Sequence, residues 1–224
     1  MMRERGFDTR PEDLPASLPI FPLMGVLLLP RGRLPLNVFE PRYLAMTEDA
    51  IASDRLIGII QPSVERPTGA EPPIYRTGCV GRITSFAEED HRYLITLTGI
   101  CRFDVIEDHL TPRGYRRVTP DWSPYRDDFH EAPDGSADRA RLIAGLRTFF
   151  KRNGIRADWD TVSETPDERL VTSLAMICPF GPAEKQTLLQ ARDAAERARL
   201  LTGLIEMAIL DPAPEGDGPR PRAN

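Results

Sequence analysis

With 224 residues, 41% of them hydrophobic and 28% charged, the chain can bury a real core as one domain or two small ones. Its formal net charge of −5 speaks against the basic footprint of a nucleic-acid binder. No apolar run approaches the ~20 residues of a membrane span, and the basic residues are almost all arginine, which reads as codon bias rather than phosphate recognition.

Taken in order, residues 1–17 are polar and aperiodic and read as a loose tail. They mix acids and bases and lead to no small-residue cleavage site, so a secretory signal is not expected. Two apolar runs follow, Leu18–Leu29 and Leu34–Phe39, parted by the turn signal Pro30-Arg31-Gly32-Arg33. Both are short and bounded by proline, which predicts strands. Pro19 and Pro22 cannot donate to a ladder, placing the start of the first run at a sheet edge or in an irregular lead-in. Glu40-Pro41 then opens a helix, because proline suits the first helical turn and Tyr43, Met46, Thr47, Ala50 and Ile51 recur at helical spacing.

Leu56–Ile60 reads as a buried strand, and residues 63–73, with Pro67, Gly69, Pro72 and Pro73, as a surface loop. Gly78–Phe86 and His91–Gly99 are predicted strands joined by a polar hairpin at Ala87–Asp90. Ile100–Asp108 and Tyr115–Thr119 complete an antiparallel meander, and many short strands around one helix suggest a small barrel over 18–121. Residues 122–136 form a linker in which Trp122, Tyr125 and Phe129 are expected to dock on the barrel.

The rest, 137–210, is helical. A first helix to about Arg152 presents Leu142, Leu146, Phe149 and Phe150 on one face. Thr165-Pro166-Asp167-Glu168 reads as a capping box opening a second helix that buries Leu170, Leu174 and Ile177. A third runs unbroken from Pro182 to about Ile209, and three amphipathic helices must pack on one another and on the barrel. Residues 211–224 read as a disordered tail. Cys79, Cys101 and Cys178 lack C-x-x-C spacing, so buried reduced thiols and a cytoplasmic setting are expected.

The stretch LPIFPL…LLLP…LPLNVFEPRYLAM resembles the start of the N-terminal, substrate-binding domain of Lon proteases, in the form seen in stand-alone Lon-domain proteins and in cereblon. Gly78-Cys79-Val80-Gly81-Arg82-Ile83 and Leu97-Thr98-Gly99-Ile100-Cys101-Arg102-Phe103 resemble two further strands of that family. Pro182–Leu189 and Asp193–Arg197 are similar to its closing helix. The four motifs stand in the family's order over roughly residues 18–210. The resemblance implies an α+β fold: a PUA-like, mostly antiparallel β pseudobarrel with one inserted short helix, followed by a C-terminal three-helix bundle.

Catalytic chemistry is not expected in these residues. A phosphate-binding loop needs glycines followed by Lys and Ser or Thr, and the chain has no Gly-Lys dipeptide. Lys151 and Lys185 match no Ser–Lys protease motif, and a G-x-S-x-G elbow is missing. Glu88-Glu89-Asp90-His91 reads as a solvated hairpin tip, and Asp127-Asp128 with His130 and Glu131 as a solvated linker, rather than metal sites. No metal or cofactor is expected.

What remains is a binding surface. Phe39, Glu40, Arg42 and Tyr43 join an aromatic pair to an ion pair at a strand–helix junction, and Arg82, Phe86 and Arg102 lie in strands near glycines that permit close approach. These seven residues are candidates for a groove that accepts an extended or unfolded polypeptide through aromatic anchors and edge donors. Such a groove would be bordered by Phe39, Tyr43 and the strand 81–86. The competing reading is architectural, with Glu40 and Arg42 tying the helix to the barrel while Phe39 and Tyr43 fill its core. The resemblance implies protein substrates, engaged on behalf of a protease or chaperone. The alternative is a PUA-like RNA-binding protein, for which Arg82, Arg102, Arg113, Arg116 and Arg117 would have to form a basic groove.

Overall fold

The structure, a computed structural model, describes residues 10–64, 72–131 and 138–210. The tails expected at 1–9 and 211–224, and the loop and linker segments at 65–71 and 132–137, lie outside the described residues. Six strands form one sheet: β1 (Leu18–Pro22), β2 (Arg33–Val38), β3 (Leu56–Ile60), β4 (Thr77–Glu89), β5 (Arg92–Leu110) and β6 (Arg116–Asp121). Their order is β2-β5-β4-β3-β1-β6, and β6 also pairs with β5. The strands β5-β4-β3-β1-β6 therefore close a ring, while β2 lies outside it on the first half of β5. Among the described residues only β1 and β3 run parallel. Helix α1 (Pro41–Ile51) is inserted between β2 and β3.

The strand β5 makes closure possible. The expected break between Gly99 and Ile100 is absent, and one strand of 19 residues pairs in turn with β2, β4 and β6. Register shifts between Val80 and Gly81, Ile83 and Ser85, and Val105 and Glu107 insert extra residues at three places. Each such bulge bends a strand and sharpens its twist, which a small closed sheet requires. The β4–β5 hairpin turns on Asp90 and His91, both left-handed at φ 42° and 65°, as a two-residue hairpin demands.

Strand β1 departs from expectation. Despite Pro19 and Pro22 it is an interior strand, between β3 and β6. Leu18, Ile20 and Phe21 are at most 5% exposed. Burying them stabilises by ~1.5–3 kcal/mol each, more than the ~1 kcal/mol of each ladder bond forgone. The rest of that apolar run, Leu23–Leu29, is irregular, and Leu27, Leu28 and Leu29 are buried between sheet and helices. The expected tail is likewise docked at its end: a short 3-10 helix, Pro11–Asp13, leads to Leu14 packed on the barrel.

Among the described residues the helical end holds five helices where three were expected: α2 (Arg139–Arg152), α3 (Trp159–Glu164), α4 (Asp167–Ile177), α5 (Pro182–Gln190) and α6 (Ala194–Leu210). Thr165 does not cap α4. Its hydroxyl donates back to Thr161 O (2.7 Å) and it ends α3 instead. The long third helix is split because Asp193 accepts from the Glu196 backbone N–H (2.7 Å) while the Glu196 carboxylate accepts from Arg192 N–H (2.6 Å). These are reciprocal caps that start a new helix.

One hydrophobic cluster runs from β4, β5 and α1 into α2, α4, α5 and α6 without a gap. The glycines of the strand motifs make room for this cluster and for a second one that holds Phe103. A Cβ on Gly78 would lie 2.6 Å from the Phe103 ring, and one on Gly99 would collide with the Leu29 carbonyl oxygen. Gly99→Ala is expected to destabilise the fold by roughly 2–4 kcal/mol, since backbone cannot yield as a side chain can. Urea unfolding with a midpoint within error of the parent protein would contradict this account of the motif.

Candidate functional site

The junction between β2 and α1 is built from its sequence neighbours. Pro41 starts the helix, and Glu40 at its cap position turns its carboxylate to Arg42 (2.9 Å) rather than to the helix backbone. The Arg42 guanidinium lies 4.6 Å over the Tyr43 ring, and Tyr43 stacks on Phe21 at 4.1 Å. Tyr43 is buried, and burial pushes its phenol pKa up. Further along α1, Arg113 pairs with both Glu48 and Asp49. Tyr115 donates to Asp49 (2.8 Å) and Tyr93 to Glu48 (3.1 Å). The architectural reading thus has support at Tyr43, whose ring on Phe21 fastens α1 to the barrel, while the Glu40–Arg42 pair lies within the helix's own first turn. It does not describe Phe39, which is 67% exposed.

Beyond the ring, β2, the first half of β5 and the second half of β4 continue as a three-stranded sheet. Strand β3 ends its pairing at Leu56↔Arg82. Among the described residues no strand pairs with the outer side of β4 beyond Ile83, and Thr84–Glu89 are exposed. Phe86 on this open edge is 45% exposed and stacks on Tyr93 at 5.1 Å. Val38, Tyr93 and Glu88 stand in one register row, so Phe39 and Phe86 belong to the same end of the sheet. Arg82 flanks it at the ring and donates to Asp54 O (3.1 Å). Exposed aromatics beside unpaired strand backbone are the elements of strand addition. Neither a cleft at the Arg31–Arg33 turn nor a second between α5 and α6 is lined by Phe39, Tyr43 or residues 81–86.

Arg102 stands apart from this surface. It is 4% exposed and grips Asp128 through its backbone N–H and Nε (2.9 Å each) and Nη2 (2.7 Å). Its other donors reach the carbonyls of Leu189, Ala191 and Arg192 at the α5–α6 break, and the Tyr125 ring lies 4.6 Å beneath. Burial works against this charge, but the hydrogen bonds and charge of Asp128 outweigh it and raise the Arg102 pKa. Asp128, expected to be solvated, is therefore a buried partner. Its signal was present only as an acid between aromatics that dock on the barrel, as Trp122 does on Phe103 (5.8 Å). Arg197, 6% exposed beside this pair, is lowered to about 10 by burial and by the Arg102 charge.

The arginines needed for a basic groove are likewise engaged. Arg116 is buried against Asp108 and Pro72 O, Arg117 donates to Ser17, and Arg113 holds α1. Among the described residues no His, Cys, Asp and Glu cluster has metal-binding geometry. Cys79, Cys101 and Cys178 are free and buried, and burial raises each thiol, Cys178 to about 12.

The geometry first defines a class: a closed β ring locked to a helical appendage, with a β4 edge that no strand among the described residues covers and two exposed aromatics at one end. A family model for the ATP-dependent protease La (LON) substrate-binding domain matches residues 17–207, and the chain belongs to that family. Lon protease 2 of Sorangium cellulosum is 30% identical over 203 residues, covering 84% of this chain and 24% of the relative. The Lon protease of Dictyoglomus thermophilum is 26% identical over 227 residues, 94% of this chain and 27% of its own length. The chain thus spans about a quarter of these curated relatives. Among solved structures, a Lon N-terminal domain protein from Xanthomonas campestris superposes with a TM-score of 0.57 at 22% identity, over 84% of this chain and 97% of that one. The N-terminal domain of the Mycobacterium avium complex Lon protease gives 0.56 at 17% identity, over 85% and 98%. Both show the same α+β fold.

Two measurements separate frame from surface. Asp128→Ala strands a buried guanidinium and is expected to destabilise by about 3–5 kcal/mol, whereas Phe39→Ser stays within about 0.5 kcal/mol. Equal urea midpoints for the two would refute the assignment. At about pH 8, where an ordinary thiol is partly ionised, the native protein should resist alkylation at all three cysteines and take up three labels only when unfolded. Native labelling by mass spectrometry would show the thiols accessible.

Proposed function

We propose that this chain recognises extended or unfolded segments of other proteins and does not transform them. The observation that carries the reading is the pairing of exposed Phe39 and Phe86 with the open edge of β4. Main-chain donors and acceptors on a free edge bind any extended polypeptide, and aromatic anchors supply apolar area at small entropic cost. Membership in a substrate-binding domain family supports the same use. Phe39 and Phe86 contact the ligand, Arg82 borders it, and Glu40, Arg42 and Tyr43 hold Phe39 in place. Arg102 serves the frame on which the site is mounted. The recognised protein is handed to a protease or a chaperone in the cytoplasm. Among the described residues no helix is long and apolar enough to cross a membrane, and the engaged arginines leave RNA recognition unsupported.

Fluorescein-labelled casein, an unfolded polypeptide, provides the test. Wild-type protein should raise its anisotropy saturably, and Phe39→Ser/Phe86→Ser should weaken binding about tenfold, or ~1.4 kcal/mol. Absence of binding at ~100 μM wild-type protein, about −5.5 kcal/mol, would refute the function, and equal affinity of the double variant would refute the site.

A further inference from the structure

The turn between the first two strands faces α4 across a cleft of about 480 Å³, within the ~300–1,000 Å³ of ligand pockets. The lining divides by chemistry. Arg33 and Arg169 are exposed and have no ion-pair or hydrogen-bond partner among the described residues. Arg31, the third arginine, is engaged: it pairs with Glu168 and donates to Asp128 O (2.7 Å). Glu131 is the acid left to oppose the two unpaired guanidiniums. Met176 and Ile177, the latter 70% exposed, give the cleft an apolar wall on the last turn of α4.

The turn that presents Arg31 and Arg33 opposite Arg169 on α4 is held rigidly. Arg31 is left-handed at φ 63°, a conformation that persists only where the surroundings enforce it. Arg31 N donates to Gly99 O (2.8 Å), Gly99 N to Gly32 O (2.8 Å) and Gly32 N to Leu29 O (2.9 Å). Gly32 is bare backbone against α4, where a Cβ would collide with Met176 Sδ. A fixed wall with two free guanidiniums beside an apolar patch matches a carboxylate, which a guanidinium binds with two parallel hydrogen bonds, next to an apolar side chain.

We propose that this cleft is an anchoring subsite for polypeptide segments in which an acidic residue stands beside an apolar one. The inference rests on the polypeptide-recognition reading above and names its preferred substrate class. Strand β2 runs from Arg33 at the cleft to Val38 beside Phe39, a span of ~20 Å at ~3.3 Å per residue. One extended segment of about seven residues therefore reaches both the cleft and the exposed aromatic. A nucleic-acid strand fits less well, because Glu131 and Glu168 line the same cleft and the chain carries net charge −5.

The experiment compares two fluorescein-labelled Gly/Ser-flanked peptides, one with a central Asp-Asp-Leu-Leu and one with Asn-Asn-Leu-Leu, by anisotropy at about 50 mM salt to limit screening. The acidic peptide should bind about tenfold more tightly, the effect of one charge-assisted pair. Arg33→Glu/Arg169→Glu, a change at two exposed side chains, should erase that ratio. Phe39→Ser/Phe86→Ser should weaken both peptides and leave the ratio intact. Equal affinities in the wild type, a ratio that survives charge reversal, or displacement of the acidic peptide by an equimolar single-stranded oligonucleotide would each overturn the subsite. If casein binds while the ratio is one, the subsite alone falls; if neither casein nor peptide binds, the recognition reading falls with it.

Discussion

Arg102 carries its charge into a seam closed to water, and barrel, linker and helices are arranged to meet it. Its guanidinium spans three separate stretches of chain: strand β5, the 3-10 turn around Asp128, and the carbonyls where α5 gives way to α6. Taking two ions out of water is expensive, and their attraction repays it only when the geometry is complete. The arrangement therefore adds less to stability than to uniqueness, because any other docking of the helices would leave the guanidinium unpaired. A second polar clasp acts at the other end of α5. There Gln61 donates to Pro182 O and Gln186, Gln186 to Thr77 O, and Lys185 to Gly25 O and Met176 O. Burial lowers the Lys185 pKa, as expected for an ammonium whose hydrogen bonds are to neutral carbonyls.

This locking explains where function can reside. The ring is filled, its helical side is sealed by a continuous apolar core, and its buried Arg102 and Arg116 are engaged by Asp128 and Asp108. The sheet that projects past the ring is different. Among the described residues its outer β4 edge has no strand partner, and Phe39 and Phe86 are exposed, features a folded protein ordinarily removes or shields. A rigid frame beneath an unfinished edge suits a protein that must accept many sequences in one conformation, since the frame lowers the entropic cost of ordering the complex.

Most strands were legible because apolar runs and turn residues report local geometry, although the prolines misplaced β1 at an edge, and the motif glycines mark the points where Phe103 and Leu29 approach the backbone. Element ends were less so. The apolar stripe of the last helices runs through Ala191 without a change of phase, and only Asp193 and Glu196, spaced as reciprocal caps, announced the break. Thr165 closes α3 through a local bond to Thr161 O, and α3 itself is too short for its apolar spacing to have announced it. At the site, proximity in sequence misled. Arg82 on β4 and Arg102 on β5 stand in similar strand contexts, yet one donates to Asp54 O at the sheet's flank and the other reaches the seam with the helices. Asp128 looked solvated among its polar neighbours because its partner lies 26 residues away.

The most direct test of the central claim is hydrogen exchange of the backbone amides, with and without saturating casein. Binding along the open edge predicts slowed exchange over residues 84–89 and 36–39, with the buried amides of β1 and β3 unchanged. Protection confined to the helices, or spread evenly over the chain, would contradict it.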